Sequence, residues 1–237
     1  MAPFSDRRAA GKILAPLVRA ALSHHDVLVL ALPRGGVPVA AEIAAALDAP
    51  LDVFVVRKLG MPGEEELALG AVASGGVRVL NRDLIEILGV SDEVIESVTR
   101  REREEMERRE QVYREGRPAL NVQHRTVVLV DDGLATGASM LAACRALRAN
   151  GAAQIVVAVP VAARETYRRF RKEANRIVCP VTPDDLGSVG RWYEDFSATS
   201  EEEVRKILND CYSKRTKKGA NASNVWGAPD ESRKSID

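Results

Sequence analysis

The sequence has 237 residues, 46% hydrophobic and 29% charged, which suffices for one α/β domain with a small appendage or at most two domains. Lys plus Arg and Asp plus Glu both total 34, and this zero net charge argues against non-specific nucleic-acid binding, which needs a basic surface. The three cysteines lack CxxC spacing and no apolar run reaches the roughly 18 residues of a membrane span, so we expect a reduced, soluble, cytoplasmic protein without a membrane partner.

In the first half of the chain, two apolar runs are each followed by a glycine-containing segment. The first run, residues 27–33, is apolar throughout and predicts a buried strand of a parallel sheet. The pair Gly35-Gly36 ends it, and the alanine-rich segment 37–47 predicts a helix. A second strand is predicted over 51–57, and the glycine-rich segment 59–77 predicts a long loop or a mobile hairpin.

The second half continues the alternation of helices and strands. A short helix over 81–88 precedes a long helix over 92–115, which Ser91 can cap. The long helix is dense in charge, so we interpret it as solvated, with partner binding or dimerisation as the alternative. Further strands are predicted over 126–130, 154–160 and 176–181, and further helices over 136–149, 163–174 and 201–211.

The alternation predicts an α/β fold, with a mostly parallel twisted sheet flanked by helices. We expect a single domain over residues 1–212 with a core at about 25–180. A helical insertion at about 91–117 and a small hood at about 182–198 are added to this core, and the terminal helices join the hood. The polar residues 213–237 predict a disordered tail.

Residues 127–140, VVLVDDGLATGASM, carry the clearest chemical signal. Because ligands bind beyond the carboxyl ends of parallel strands, the residues after a buried strand are where function is expected. Asp131 and Asp132 can accept hydrogen bonds from hydroxyl groups or hold a hydrated Mg²⁺. Backbone N–H groups of the small-residue turn that follows can converge on one phosphate. The turn consists of Ala135, Thr136, Gly137, Ala138 and Ser139.

Two common nucleotide-binding motifs are missing from the sequence. The chain has no Gly-Lys-Ser/Thr of a Walker A loop, which speaks against an NTPase, and no GxGxxG of a dinucleotide site follows a predicted strand. An Asp-Asp turn that only caps a helix is the structural alternative for residues 127–140.

Residues 127–140 resemble the phosphoribosyl-pyrophosphate signature of the type I phosphoribosyltransferases. The resemblance implies that Asp131 and Asp132 face the ribose 2′- and 3′-hydroxyls of 5-phosphoribosyl-1-pyrophosphate. It also implies that these acids hold Mg²⁺ through water or the ribose hydroxyls, and that residues 135–139 wrap the 5′-phosphate. The similarity extends over roughly residues 25–180.

Residues 30–40, LALPRGGVPVA, resemble the pyrophosphate loop of the same family. The resemblance implies that Arg34, Gly35 and Gly36 bind the pyrophosphate, and it predicts a cis peptide at Pro33–Arg34. These residue types suit pyrophosphate binding, because glycine lets the backbone approach an anion closely while arginine supplies positive charge. An ordinary strand-to-helix turn is the alternative.

Residues 56–70, VRKLGMPGEEELALG, resemble the mobile catalytic loop of the family, with Arg57 and Lys58 on its basic pair. A solvated loop is the alternative. In the implied reaction, a nitrogen nucleophile attacks ribose C1 as pyrophosphate leaves. The residues implied in catalysis are Asp131, Asp132, Lys58 and Arg34.

The acceptor of the implied reaction is not identified by the sequence. Ala135 departs from the 6-oxopurine enzymes, which carry Asp there, so the acceptor base is open. Trp192 and Tyr193 in the hood can stack against a base, or can only join the hood to the core. A non-catalytic regulatory protein that senses phosphoribosyl pyrophosphate is the alternative function. We expect a homodimer, since family members usually associate.

Two groups of residues near the N-terminus also call for an interpretation. Residues 4–8 open an amphipathic helix that we expect to pack on the domain, with an active-site role for Arg7 or Arg8 as the lesser alternative. His24 and His25 precede a strand without further metal ligands, which favours a surface loop over a metal site.

Overall fold

The computed structural model describes residues 3–23 and 26–217. The strands of this part are β1 (Val27–Ala31), β2 (Leu51–Val53), β3 (Val56–Met61), β4 (Glu64–Ala73), β5 (Val77–Leu80), β6 (Thr126–Val130), β7 (Gln154–Ala158) and β8 (Arg176–Val178). The helices are α1 (Arg7–Ala21), α2 (Gly36–Leu47), α3 (Arg82–Leu88), α4 (Asp92–Arg114), α5 (Ala138–Ala149), α6 (Arg164–Glu173) and α7 (Glu201–Lys217), with a short 3-10 helix over Val189–Trp192.

The central sheet is parallel and has the strand order β2-β1-β6-β7-β8, which confirms the predicted α/β fold. Every residue of β1 and β6 is buried, because α1, α2 and α7 pack on one face and α5 and α6 on the other. These two strands are neighbours in register, with Ala31 opposite Val130. Their carboxyl ends therefore bring the segments that follow them, from Leu32 and from Asp131, to one place on the sheet edge.

A second, antiparallel sheet of β3, β4 and β5 corrects two predictions. The single strand predicted over 51–57 is wrong, because the chain leaves the parallel sheet after Val53 and enters the antiparallel one at Val56. The long loop predicted over 59–77 is also wrong, and the hairpin alternative is the one observed. Gly63, with φ of 86°, turns the chain between β3 and β4.

The long helix α4 packs within the domain along one face. Ile95, Val98, Met106 and Tyr113 are buried, although charged residues surround them in the sequence. Contacts with the antiparallel sheet and with α7 cover this face. The interpretation as a solvated helix therefore holds for its outer face only.

The C-terminal helix α7 extends beyond the predicted end at residue 211. Residues 213–217, predicted to begin a disordered tail, form its last turns instead, where basic side chains complement the helix dipole. Arg215 donates a hydrogen bond to the carbonyl oxygen of Asp48, which anchors this end. Residues 218–237 of the predicted tail, like His24 and His25, lie outside the described residues.

The remaining helix and strand boundaries differ from the predicted ones by a few residues at most; α5, for example, begins at Ala138 rather than at 136. None of the helices within residues 3–23 and 26–217 combines the length and the apolar character needed to cross a membrane.

Candidate active site

The turn from β1 into α2 lies directly against the end of β6. Leu32 N–H donates to the carbonyl oxygen of Val130 at 2.9 Å. The peptide bond between Pro33 and Arg34 is cis, which confirms that prediction. A Cβ atom on Gly35 would lie 2.0 Å from Asp132 Oδ2, and one on Gly36 would lie 2.7 Å from the Val130 carbonyl oxygen. Both glycines are therefore needed for the close approach of this turn to the acids.

Asp131 and Asp132 follow β6 side by side and are each held through one carboxylate oxygen. Asp132 N–H donates to Asp131 Oδ1 at 2.8 Å. Arg7 Nε donates to Asp132 Oδ2 at 2.8 Å, and the side chains of this ion pair are 11% and 16% exposed. The second oxygen of each acid is the one that could meet a ligand.

Burial raises the pKa of Asp131 well above its usual range, and the adjacent negative charge of Asp132 raises it further. The nearby charge of Arg7 opposes this shift, as does the hydrogen bond from the Asp132 N–H group. In the folded chain, ionising Asp131 is therefore less favourable than in the unfolded chain.

We expect Asp131→Asn to raise the thermal stability at pH 7. Below the unfolded pKa of about 3.8, the carboxyl is protonated in both states and does not change the free energy of unfolding. As the pH rises above that value, the carboxyl destabilises the fold increasingly, because its pKa is higher in the folded chain. The gain in melting temperature should therefore shrink and vanish as the pH falls towards 4. Calorimetry in EDTA would measure it, with the exposed Asp83→Asn as control; an Asp131 variant less stable than the parent at pH 7 contradicts the expectation.

The turn after the acids presents backbone N–H groups at the start of α5. Gly137 adopts φ of 73°, and a Cβ atom there would lie 2.6 Å from the ring of Phe170. On the α6 side, Thr166 Oγ1 donates to the carbonyl oxygen of Ala135 at 2.6 Å, and Arg169 donates to that of Thr136. In a trans peptide the N–H points opposite to the C=O, so the amides of Thr136 and Gly137 point away from α6.

These amides, together with the N-terminus of α5, are donors of the kind that can bind an anion. The outer face of the turn is accessible, because its residues other than Gly137 are exposed: Ala135, Thr136, Ala138 and Ser139. Sequence reasoning missed the supporting residues Thr166 and Arg169, since nothing in a helix that lies 31 to 33 residues further along the chain shows that it faces this turn.

The predicted basic pair is separated by the pleat of β3, because successive side chains of a strand point to opposite faces. Lys58 lines a cleft of about 350 Å³ between the antiparallel sheet and α5, together with Ser139 and Arg145. Arg57 lies on the face that meets α4, where its Nε and Nη2 donate to Glu102 Oε2 at 2.9 and 2.7 Å. These contacts favour a structural role for Arg57 over the predicted role in ligand binding.

Tyr193 connects the hood to the core. The residue is 5% exposed, and its ring packs between Phe4 and Phe196, with centroids 5.4 and 5.1 Å away. Its hydroxyl donates to the carbonyl oxygen of Asp132 at 2.6 Å, and burial raises its pKa, which keeps the proton on the oxygen. Trp192 Nε1 donates to the Leu186 carbonyl oxygen at 3.1 Å. The contacts favour the joining role of this pair over stacking against a base.

Comparison with known proteins assigns the chain to a family. The family model of the phosphoribosyl transferase domain matches residues 62–193, more than half of the chain. The chain belongs to the phosphoribosyl transferase domain family. A solved structure of the protein TT1426 from Thermus thermophilus is 43% identical with a TM-score of 0.78, and the similarity covers 87% of this chain and 98% of that one.

Proteins from two strains of Mycobacterium tuberculosis, provisionally named phosphoribosyl transferases, are 44% identical over 217 residues. The similarity covers 92% of this chain but 49% of each relative. The chain thus spans about half the length of the curated relatives it matches.

The match to the phosphoribosyl transferase domain covers only part of the candidate site. Residues 62–193 include both acids, the turn over 135–139 and Tyr193. The turn over 33–36 and Arg7 lie before the matched residues, so their assignment to the site rests on the contacts described above.

The acids fit Mg²⁺ only if a ligand supplies further oxygens. Within the described part of the chain, no group of three or more His, Cys, Asp or Glu residues could hold a metal ion by itself. Mg²⁺ in proteins is commonly bound by one or two carboxylates, water and the phosphates of a substrate. Asp131 and Asp132 match that donor set in the presence of a diphosphate.

Proposed function

We propose that this chain binds 5-phosphoribosyl-1-pyrophosphate with Mg²⁺ and transfers its phosphoribosyl group to a nitrogenous base or a related acceptor, releasing pyrophosphate. One observation carries the proposal. The carboxyl ends of the neighbouring strands β1 and β6 bring together a glycine turn with Arg34, two acids, and a turn of N–H groups. These are the groups that a pyrophosphate, a pair of ribose hydroxyls and a monophosphate require.

Each part of the ligand has a complementary part of the site. The amides of Thr136 and Gly137, with the hydroxyl of Ser139, would bind the 5′-phosphate. The ribose hydroxyls would donate to the open oxygens of Asp131 and Asp132. The pyrophosphate would lie on the backbone of residues 34–36, next to the exposed Arg34 side chain.

The chemistry asks the protein to stabilise charge that develops during the reaction. As the bond from ribose C1 to pyrophosphate breaks, the sugar gains oxocarbenium character and the leaving group gains negative charge. Arg34 and Lys58 would stabilise that charge, and preorganised groups of this kind can each contribute about 3 kcal/mol. Mg²⁺, when bound, would neutralise further charge on the pyrophosphate. The nitrogen lone pair of the acceptor forms the new bond to C1.

Two measurements on the unmodified protein test the proposal. Calorimetric titration with phosphoribosyl pyrophosphate should show binding that requires Mg²⁺, and incubation with a panel of bases should release pyrophosphate. Absence of Mg²⁺-dependent binding rejects the proposal. Binding without turnover on any base favours the sensing protein instead, for which Ala135 is the motivation because it offers no acid or base group near the acceptor. The homodimer and the cytoplasmic location stay predictions.

Thr166→Val should weaken binding of phosphoribosyl pyrophosphate by about fivefold. Valine keeps the shape of threonine but removes the hydrogen bond that orients the peptide between Ala135 and Thr136, a loss worth about 1 kcal/mol. Thr216→Val is the matched control, because that hydroxyl also donates to a backbone carbonyl, but at the far end of α7. Equal affinities of the two variants in calorimetric titration would show that Thr166 does not shape the turn.

A further inference from the structure

Arg7, the first residue of α1, contacts one of the candidate acids and the hood at the same time. Its Nε donates to Asp132 Oδ2 at 2.8 Å, and its Nη1 donates to the carbonyl oxygen of Ser197 at 2.7 Å. Its Cζ lies 3.9 Å from the centroid of the Phe196 ring. With 11% of the side chain exposed, the guanidinium is fixed by a carboxylate, a carbonyl and an aromatic face.

The segment before Arg7 is built into the hood, which fixes where α1 begins. Phe4 N–H donates to the carbonyl oxygen of Trp192 at 3.2 Å, and Glu194 N–H donates to that of Phe4 at 2.9 Å. Asp6 then caps α1, accepting from Ala9 N–H at 2.7 Å. The position of Arg7 is therefore set by backbone hydrogen bonds on one side and a helix cap on the other.

The carboxylate that Arg7 holds has little freedom of its own. Oδ2 of Asp132 lies only 2.0 Å from the position that a Cβ atom on Gly35 would take, so the carboxylate packs closely on the turn between β1 and α2. Arg7 engages that same oxygen, which leaves Oδ1 as the oxygen available to a ligand.

We propose that Arg7 is the positioning residue of Asp132, holding Oδ2 so that Oδ1 meets a ribose hydroxyl, and coupling the hood to the acid. This inference rests on the proposed function, since it names a residue that prepares the same site for phosphoribosyl pyrophosphate. Arg7 acts through Asp132 and does not itself need to touch the ligand. A lysine cannot replace it fully, because a single ammonium group lacks the planar fork that reaches both Asp132 and Ser197.

The test compares Arg7→Gln and Arg7→Lys with Arg8→Gln as a matched control. Arg8 is the next residue of α1, but its side chain is 48% exposed and pairs with Glu42 on the outer surface. Calorimetric titration with phosphoribosyl pyrophosphate and Mg²⁺ should show affinity reduced about tenfold in Arg7→Gln and less in Arg7→Lys, with Arg8→Gln unchanged. Near-ultraviolet circular dichroism establishes that each variant is folded, and Arg7→Lys carries the test if Arg7→Gln does not fold.

A double-mutant cycle with Asp132→Ala, which removes the acceptor of the Arg7 hydrogen bond, separates positioning from simple stabilisation of the fold. If Arg7 works through Asp132, Arg7→Gln/Asp132→Ala should bind no more weakly than Asp132→Ala alone. The inference would be overturned if the two substitutions reduced the affinity by independent factors, or if Arg7→Gln bound as tightly as the unmodified protein. Either result would leave the proposed function intact. Failure of the unmodified protein to bind rejects the proposed function, and this inference with it.

Discussion

The double variant Asp131→Asn/Asp132→Asn is expected to bind Mg²⁺ and phosphoribosyl pyrophosphate about 100-fold more weakly than the unmodified protein. Hydrogen bonds to a charged group contribute about 1.5–3 kcal/mol and are roughly twice as strong as those between neutral groups. Neutralising both acids at constant shape should therefore cost about 3 kcal/mol, which is a factor of roughly 10² in affinity. The asparagine at 132 can still accept the hydrogen bond from Arg7, so the ion pair is weakened without leaving the guanidinium unpartnered.

Replacing Asp131 is expected to raise the stability of the fold and to lower the affinity for the ligand. A loss of binding at this position would therefore not be explained by unfolding. Because ionised Asp131 is destabilising in the folded chain, its replacement should not unfold the protein. Titration calorimetry gives the affinity and a thermal melt gives the stability of the same sample. Asp83→Asn, on the exposed surface of α3, controls for the loss of a carboxylate elsewhere. A folded double variant that binds with undiminished affinity would refute the assignment of the acids to the ribose.

The central residues of the candidate site could be selected from the sequence because their signals are local. The buried strand β6, the acids after it and the small-residue turn follow one another within residues 127–140, and each has a direct physical meaning. The turn around Gly35 is also contiguous in the sequence, but the prediction of its cis peptide rests on the resemblance to the phosphoribosyltransferases and not on the residues alone.

Contacts between distant segments were beyond sequence reasoning. Arg7 and Asp132 are 125 positions apart in the sequence, so no local pattern predicts their ion pair, and none indicates that the N-terminal segment joins the hood. In the run over 51–57, the two residues between the strands, Phe54 and Val55, are apolar residues typical of strands themselves. Nothing in the sequence therefore marks the break after Val53. The face on which Arg57 lies became known only once the pairing of β3 fixed its register.

The second large effect is expected at the adjacent glycines of the turn. The same change to alanine should mainly lower stability at Gly36 and mainly lower ligand affinity at Gly35. Gly36→Ala places a Cβ atom 2.7 Å from the Val130 carbonyl oxygen and 2.9 Å from Asp131 Cα, which are backbone atoms of a buried strand end and cannot move aside. Overpacking of this kind costs about 3 kcal/mol at its upper range, or a fall of roughly 6–12 °C in melting temperature for a chain of this size.

Gly35→Ala, in contrast, meets a side chain: its Cβ atom would lie 2.0 Å from Asp132 Oδ2, and the carboxylate must rotate away from Arg7. Gly35 has φ of −61° and ψ of −32°, which alanine adopts without backbone strain, so the stability lost should come from the weakened Arg7–Asp132 ion pair, and the melting temperature should fall less than in Gly36→Ala. Affinity for phosphoribosyl pyrophosphate should nevertheless fall at least tenfold, since a rotated Asp132 loses a charge-assisted hydrogen bond worth about 1.5–3 kcal/mol. The two variants serve as controls for each other, because they add the same methyl group at neighbouring positions. If both lose stability alike, or if Gly35→Ala binds normally, the close contact between this turn and the acid is not what the ligand depends on.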